Sequence, residues 1–440
     1  MKKLYFFTLL ILCCHCLPAQ TWTGATNSDW NNAANWNPAG VPTSTSNVII
    51  PGSLSQYPVM NGKVLINGID MQPGSRLDVN GSELALNGVN TYINFNGATL
   101  NNSNGATDII LSITTGAGGF VTYFSSNTVN DNIVFNLSGQ NNFIEAAALP
   151  RNVYNEHVTF NIIDGLPVYI SYGASSLFYG NLTINRAVPG YTSLFYSGAD
   201  LAGNFSYTNN VGAATVMGNT NFKTNIAGMV NITASYPVPA AFEMYRLVNQ
   251  ATGGNINVLN SQGFNLQLDT LKVTSLNITG YRGNAYANLF NNDITGNLTI
   301  ADDASYSGGF YTYIRNNHIT GNSSITINGS NALLEGDVAG TGNHYQGNVT
   351  FNGAGGALFI SHGAALNCSG NLAINRTVAG QTTAFNAGAI IGGNFSYTNN
   401  TAGNTYRGNL SSKTSIGGTV NVQANYTTPN AFEMYRLVNQ

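Results

Sequence analysis

Apolar and polar residues alternate in short runs along this chain, and one such run recurs about every 24 residues. Its five positions are usually a small residue, a polar, an apolar, a small polar and an apolar residue. Because side chains along a strand point alternately to opposite faces, each copy predicts a β-strand with one buried face. The copies begin at Glu156, Gly180, Gly203, Gly228, Gly254, Thr274, Gly296, Ser323, Gly347, Gly370, Gly393 and Gly418.

The third and fifth positions of every copy are apolar, and the residue between them is Thr, Ser, Asn or Ala. The pairs are Val158/Phe160, Leu182/Ile184, Phe205/Tyr207, Val230/Ile232, Ile256/Val258, Leu276/Ile278, Leu298/Ile300, Ile325/Ile327, Val349/Phe351, Leu372/Ile374, Phe395/Tyr397 and Val420/Val422. No helical periodicity separates the copies. The pattern therefore predicts an all-β fold, a right-handed parallel β-helix with about 24 residues per coil.

Two other folds fit the pattern less well. Tandem β-sandwich domains would not present a similar strand in every stretch of about 24 residues. A leucine-rich horseshoe shares the coil length, but the Leu-x-x-Leu that should precede each strand is mostly missing.

A long repeat encloses the short one. The decapeptide 241–250 recurs unchanged at 431–440, and 203–210 recurs at 393–400, so the long repeat has a 190-residue period (431 − 241 = 190). Duplication of one block is the simplest explanation, and it makes residues 51–440 one repeat region whose second copy is truncated at Gln440. We expect a longer protein whose missing C-terminal region carries the attachment or sorting signal.

Gly-Asn opens six of the strand copies: Gly180-Asn181, Gly203-Asn204, Gly296-Asn297, Gly347-Asn348, Gly370-Asn371 and Gly393-Asn394. Both residues tolerate the left-handed backbone conformations found in tight corners. Asn amides stacked from coil to coil can also hydrogen-bond to one another. We therefore expect these pairs to form the corners of the solenoid.

Residues 1–20 have the layout of a secretory signal peptide: two lysines, an apolar run of about eleven residues and a short stretch that ends Pro18-Ala19-Gln20. The run is too short to span a bilayer, and no later segment is long enough, so we expect a secreted or cell-surface protein without a transmembrane segment in this stretch. The cysteines near the cleavage region lack the preceding small residue typical of lipid attachment. Cys368 then remains as the single cysteine, and we expect it to be a small buried apolar residue.

Residues 21–50 contain all three tryptophans, in the order Trp22-Thr-Gly24, Trp30 and Asn35-Trp36, followed by Gly40-Val-Pro42. This pattern resembles the module that opens the repeat region of large secreted or surface-attached proteins of Bacteroidetes type and of autotransporter-like adhesins. The resemblance is confined to this segment and implies an adhesin. An Asp common in that module is Asn47 here. A structural interpretation is that the tryptophans form an N-terminal cap over the open end of the core.

Charged residues make up only 8% of the chain, whereas it contains 50 Gly and 66 Asn. Without Lys2 and Lys3 the net charge is about 13 − 18 = −5. This mild acidity, with no basic patch, argues against nucleic acid as a partner. An extracellular polysaccharide or a host or cell-surface ligand is the partner we expect.

The sequence predicts no catalytic, cofactor-binding or metal-ligating residues. Asp302 and Asp303 are the only adjacent acidic pair, and their position after Ile300 suggests solvated acids in a turn. The other acids, such as Glu335, are scattered over different coil positions in the sequence, and no histidine spacing is typical of a metal site. No cofactor is expected.

One charged cluster recurs in both copies of the long repeat: Glu243, Tyr245 and Arg246, then Glu433, Tyr435 and Arg436. These residues either contact a ligand or brace a loop, and the brace is the preferred interpretation. Exposed rows of Tyr and Asn are a second possible route to glycan binding. The sequence thus predicts a non-enzymatic extracellular adhesin or scaffold. The alternatives are a polysaccharide lyase or hydrolase and a structural surface-layer element.

Overall fold

The computed structural model describes residues 19–440 except 90, 117–119, 263–265, 283–285, 307, 339, 341, 402, 410, 426–431 and 440. All but the last two residues of the predicted signal peptide, 1–20, lie outside this range. The described chain is an all-β parallel solenoid of about 17 turns with a spacing of about 24 residues, which confirms the predicted fold class. Its helical content in the described part is one 3-10 turn, Ala33–Asn35.

Three parallel sheets run along the solenoid, and each regular coil contributes one strand to each sheet. Sheet 1 contains Gln20–Trp22, Asn47–Ile50, Gly68–Met71, Ile93–Asn96, Thr122–Ser125, Phe143–Glu145, Val168–Ile170, Thr192–Leu194, Thr215–Met217, Phe242–Asn249, Leu266–Asp269, Tyr286–Phe290, Tyr311–Arg315, Ser323–Glu335, Val349–Ile360, Thr382–Ala384, Thr405–Arg407 and Phe432–Met434. The short strand Trp36–Asn37 pairs antiparallel with Gln20–Trp22.

Sheet 2 has two sections that no described strand pairing joins. The first contains Arg76–Asp78, Thr99–Asn101, Thr128–Val129, Val153–Tyr154, Ser176–Phe178, Ala199–Leu201 and Thr224–Ile226. The second contains Lys272–Val273, Asp293–Ile294, His318–Ile319, His344–Tyr345, Leu366–Cys368, Ala389–Ile391, Thr414–Ile416 and Leu437–Asn439. Sheet 3 contains Val64–Ile66, Glu83–Leu86, Ile109–Thr115, Ile133–Gly139, Val158–Ile162, Leu182–Arg186, Phe205–Asn209, Val230–Ala240, Asn255–Ser261, Ser275–Tyr281, Leu298–Asp302, Leu372–Arg376, Phe395–Asn399 and Val420–Ala424. Three long strands belong to two sheets: Phe242–Asn249 turns from sheet 1 into sheet 2, and Ser323–Glu335 and Val349–Ile360 turn from sheet 3 into sheet 1.

Sheet 3 holds the strands that the five-residue pattern predicted. In eleven of the twelve copies both apolar residues are at most 1% exposed. Most successive copies pair third position to third and fifth to fifth. Three junctions are shifted by two residues, which keeps the same face inward: Ile232 pairs with Ile256, Ile300 with Ile325, and Ile325 with Phe351. The exception is the last copy, in which Val420 is 36% exposed because its strand has a described neighbour on one side only. Cys368 is fully buried in sheet 2, as predicted, and burial raises the pKa of its thiol to about 11.

The left-handed residues stack in one corner, where the chain turns from sheet 1 into sheet 2. From residue 97 onward nearly every coil places one residue there with φ between 46° and 75°. A non-glycine residue in this conformation is strained and persists only where the surrounding structure holds it. The corner residues are Gly97, Ser126, Ala146, Ser171, Phe195, Gly218, Arg246, Thr270, Asn291, Asn316, Gly336, Ser361, Phe385, Gly408 and Arg436.

The Gly-Asn pairs form a different corner. The prediction that their glycines are needed for a left-handed backbone conformation is wrong. None of the six glycines has a left-handed φ. A Cβ on Gly203 would instead lie 2.4 Å from the carbonyl oxygen of Gly180 in the preceding coil, so glycine is needed for close stacking. The Asn residues do link the coils: Asn181 Oδ1 accepts the backbone N–H of Asn204, and Asn204 Oδ1 accepts that of Met229, both at 2.8 Å.

The tryptophan-rich segment forms the first layer of sheet 1. Trp22, Trp30 and Trp36 are at most 2% exposed and pack edge to face, with ring centroids 5.0 and 4.8 Å apart. Their rings belong to the same apolar core as the coils that follow. Asn47, the position of the motif Asp, accepts a hydrogen bond from Asn67 at 3.0 Å. The described residues include no helix long and apolar enough to cross a membrane.

Candidate functional site

The outward face of sheet 1 carries a row of aromatic and apolar side chains that begins and ends near a carboxylate. We call it the first stripe. Parallel pairing places its members side by side from coil to coil. All are partly exposed except Ser193, which is buried. In order they are Asp70, Asn94, Tyr123, Ile144, Tyr169, Ser193, Val216 and Glu243.

Local sequence explains why these side chains point outward. In the strand Val168–Ile170, Val168 and Ile170 are fully buried, so the tyrosine between them must lie on the opposite face. The same alternation holds in Phe143–Glu145, where the outward residue is Ile144.

Three corner tyrosines widen the stripe beside Tyr169. Tyr172, Tyr191 and Tyr196 are 40%, 38% and 46% exposed. Ring centroids lie 5.0 Å apart for Tyr169–Tyr172, 5.7 Å for Tyr169–Tyr191 and 5.4 Å for Tyr172–Tyr196. The four rings thus form one continuous aromatic patch across two coils. Contiguous exposed patches of this kind usually mark a binding surface.

Burial favours the neutral form of two hydroxyl groups in the patch, those of Tyr169 and Tyr191. Burial, followed by the influence of Tyr172, raises the pKa of Tyr169, and burial is also the main reason why the pKa of Tyr191 is raised. The phenols of Tyr169 and Tyr191 therefore stay protonated at physiological pH and can donate a hydrogen bond as well as accept one.

One end of the first stripe is a shallow pocket of about 250 Å³. Glu243 and Tyr245 line it together with Tyr196, Val216 and the turn 218–221. The Tyr245 hydroxyl donates to Glu243 Oε2 at 2.8 Å. A Cβ on Gly218, at φ 74°, would lie 2.1 Å from the Tyr245 carbonyl oxygen, so only glycine lets the turn approach this closely.

The other end of the stripe is a second pocket, of about 390 Å³, lined by Asp70, Tyr92, Asn94 and Tyr123. Asn94 Nδ2 donates to Asp70 Oδ1 at 2.8 Å. Tyr92 is 60% exposed, and its ring packs edge to face on Phe120 at 4.8 Å. Both ends thus combine an exposed aromatic ring with a carboxylate and a hydrogen-bonding partner.

The second copy of the long repeat carries a related row on the same sheet, which we call the second stripe. Its members pair in register at Tyr313, Leu334, Phe359 and Thr383. Each lies one full period of the long repeat after a member of the first stripe: Tyr123, Ile144, Tyr169 and Ser193 respectively.

The surroundings of the second stripe differ from those of the first. His362 replaces Tyr172 and packs on Phe359 with ring centroids 5.4 Å apart. The Arg315 guanidinium lies 5.0 Å from the centre of the Tyr313 ring and is paired with Asp337. Gln381 and Asn386 stand where the first copy has Tyr191 and Tyr196. The second stripe therefore has fewer aromatic rings and more basic groups.

The recurring charged cluster divides between the stripe and the corner. Glu243 and Tyr245 lie at the end of the first stripe, and Glu433 is likewise bonded to the Tyr435 hydroxyl. Arg246 and Arg436 both occupy the left-handed corner position, with φ 47°. Arg246 also donates to the Thr220 carbonyl oxygen at 3.4 Å. The position of the two arginines is thus a structural one.

The adjacent acids Asp302 and Asp303 have separate structural roles, and the prediction that both are solvated in a turn is wrong. Asp302 ends the strand Leu298–Asp302, is 3% exposed and accepts the backbone N–H of Asn328 at 2.6 Å. Burial raises its pKa to about 6. Asp303 pairs with Arg282 at 2.6 Å. Among the described residues, no group of three or more His, Cys, Asp or Glu side chains is arranged to hold a metal ion.

Residues 21–109 match the model of a domain of unknown function, DUF8693. The match covers the tryptophan-rich segment and the first coils, and it ends at the first residue of the strand Ile109–Thr115. No curated protein and no solved structure matches the chain.

The stripe residues outside the charged cluster were missed at the sequence level. Strands of sheet 1 in this region are only three or four residues long, too short to show a clear alternation. A detectable signal does exist, since aligning the two copies of the long repeat pairs Tyr123 with Tyr313 and Tyr169 with Phe359.

Proposed function

We propose that the protein is a non-enzymatic extracellular adhesin or scaffold of the Bacteroidetes-type surface repeat kind, and that it binds a neutral polysaccharide along the first stripe. The observation that carries this proposal is the exposed patch formed by Tyr169, Tyr172, Tyr191 and Tyr196. Sugar rings expose C–H faces that pack on aromatic rings, and phenol, amide and carboxylate groups bond to sugar hydroxyls.

Charge favours a neutral ligand over an acidic one. The charged members of the first stripe are the carboxylates Asp70 and Glu243. Between residues 70 and 250 the chain has ten acidic and five basic residues. Arg186, one of the five, is 3% exposed and donates to backbone carbonyls of its own coils. A polyuronate would therefore meet like charge along the stripe.

The spacing of the stripe carboxylates supports binding rather than hydrolysis. Asp70 and Glu243 are separated by seven coil steps, or about 34 Å at about 4.8 Å per step. Glycosidases that use two carboxyl groups hold them about 5 to 10 Å apart. The strongly buried acids Glu145, Asp302 and Glu335 lie inside the coils, away from the stripe.

The test measures binding and turnover of residues 21–440 on soluble β-glucan, mannan and dextran, with pectate and alginate as acidic polysaccharides. We expect saturable binding to a neutral polymer without new reducing or unsaturated ends. Replacing Tyr172 and Tyr196 by Ala should weaken binding by about tenfold or more, the value of one to two aromatic contacts. The control is Tyr179→Ala, since Tyr179 is 56% exposed but follows sheet 2.

Two outcomes would overturn the proposal. New chain ends, with or without calcium, would make the protein a lyase or hydrolase. Ordered self-assembly without binding to any polysaccharide would indicate a structural surface-layer element.

A further inference from the structure

The two stripes lie on the same sheet, one long repeat apart. Tyr169 and Phe359 occupy equivalent outward positions in sheet 1 and are eight coil steps apart. With about 4.8 Å per coil the separation along the solenoid is about 38 Å. Parallel pairing joins all the intervening strands, with one register shift between Met244 and Leu247, so their spacing is set by the fold and not by a flexible linker.

Each stripe has its own partly exposed aromatic group. The first has Tyr169 and Tyr172, and the second has Phe359 and His362, with ring centroids 5.0 and 5.4 Å apart. Tyr311, 47% exposed, adds a ring to the second stripe at 5.9 Å from Tyr313. Duplication has thus kept an aromatic pair at the same place in both blocks while most other residues around it changed.

We propose that the two stripes bind one polysaccharide chain at the same time, so that the ligand is a polymer long enough to reach both stripes rather than a short oligosaccharide. This inference rests on the proposed function of the first stripe. When one site is occupied, the second binding event becomes intramolecular, and rigid spacing makes it efficient. The overall affinity for a polymer then exceeds that of either stripe by about 10² to 10⁴.

The chemistry of the second stripe also gives it a distinct role. Its aromatic rings are fewer, the Arg315 guanidinium is already paired with Asp337, and the Nδ1 atom of His362 is buried without a hydrogen-bond partner in the described structure. We expect the second stripe to bind a short oligosaccharide more weakly than the first. Its main contribution is then to hold the polymer after the first stripe has bound it.

The experiment compares two variants that each disable one stripe. Tyr169→Ala/Tyr172→Ala changes the first, and Phe359→Ala/His362→Ala changes the second. The ligand is the neutral polysaccharide of the panel that the wild type binds most tightly, used as the intact polymer and as its tetrasaccharide. Tyr179→Ala and Ile390→Ala, both at exposed positions on or beside sheet 2, are the matched controls.

We expect calorimetry to give two tetrasaccharide sites per wild-type chain and one in each stripe variant. Either variant should lose at least tenfold in affinity for the polymer. If the second-stripe variant binds polymer and tetrasaccharide like the wild type, while the first-stripe variant loses binding, the inference is overturned and the proposed function stands. If the first-stripe variant binds both like the wild type, the proposed function itself fails. Circular dichroism and thermal unfolding establish that each variant is folded.

Discussion

Glu145 and Glu335 hold the same place in the two copies of the long repeat and occupy the same buried position in their coils. Both side chains are 0% exposed. In each, Oε2 accepts a backbone N–H at 2.6 Å, from Ser171 in the first copy and from Ser361 in the second. Glu335, which the sequence pattern left among several scattered acids, is therefore part of a duplicated internal brace.

The two glutamates of this brace differ in the number of hydrogen bonds that their carboxyl groups accept. Tyr154 and Ser176 donate to Glu145 at 3.1 and 2.7 Å. Tyr345, the counterpart of Tyr154, has no hydrogen-bond partner for its hydroxyl within the described structure, and Leu366 stands in place of Ser176. Burial raises the pKa of Glu335 to about 7, because few donors offset the cost of burying its charge.

Replacing Glu335 with Gln should flatten the pH dependence of stability. Stabilisation by the protonated carboxyl is complete below its unfolded pKa of about 4.5 and is lost as pH rises through about 7. As pH rises from 5 to 9, the free energy of unfolding of E335Q should therefore increase by on the order of 3 kcal/mol relative to that of the wild type. Urea unfolding at several pH values measures this.

Asp302 and Glu145 also have raised pKa values and remain in both proteins, so their contributions cancel in the comparison. The exposed Glu156→Gln is the control and should follow the wild type at every pH. A constant difference between E335Q and the wild type from pH 5 to pH 9 would contradict the prediction.

Arg186 is a second internal brace, and its removal should be costly. Arg186 is 3% exposed, and its guanidinium donates to Leu166 O and Tyr191 O, both at 3.0 Å, and to Thr192 Oγ1 at 2.6 Å. Burial lowers its pKa to about 10, so it stays charged at neutral pH. Arg186→Met leaves these acceptors unpaired and should reduce the unfolding free energy by about 3 kcal/mol.

Arg186→Lys should rescue little of this loss, because an ammonium group cannot span the same acceptors. Arg151→Met is the matched control: Arg151 forms an exposed ion pair with Asp200 at 3.3 Å, and its loss should cost less than about 1 kcal/mol. Equal losses for Arg151→Met and Arg186→Met in urea unfolding would refute the assignment.

The corner asparagines should matter more than those on the outward face of sheet 3, because each accepts a backbone N–H of the next coil. Asn204→Ala removes the acceptor of the Met229 N–H and should cost about 0.5 to 1.5 kcal/mol. Asn185, which donates to Asn161 on the outward face of sheet 3 at 3.1 Å, should cost less than about 0.5 kcal/mol when replaced by Ala. Thermal unfolding measures the loss of stability in both variants. A larger loss for Asn185→Ala than for Asn204→Ala would contradict the prediction.

Close coil stacking predicts that Gly203→Ala is strongly destabilising, since the new methyl group would overlap the Gly180 carbonyl oxygen. We expect a loss of about 2 kcal/mol or more from the forced backbone shift. Gly165→Ala is the control, because its nearest contact would be 3.2 Å from the Pro189 carbonyl oxygen. If the two variants unfolded at the same temperature, stacking would not be the reason for glycine at 203.

The sequence by itself determined the strands of sheet 3, the coil length and the duplication. Alternation such as Leu182-Thr-Ile184 is local, because a strand buries every second side chain whatever lies elsewhere in the chain. The role of Asn204 in joining coils also follows from its recurrence beside Gly203. The buried face of each strand can therefore be recognised from the sequence of its own coil, without the positions of the neighbouring coils.

The stripes and the buried braces were decided by the tertiary structure. Tyr169, Tyr191 and Tyr196 come together only because adjacent coils stack in register, and that register depends on corner lengths that vary along the chain. Glu145 is buried among donors from two coils, so no local pattern distinguishes it from a solvated acid. Contacts between coils join residues that are a whole coil apart in the sequence, and their geometry exists only once the solenoid has formed.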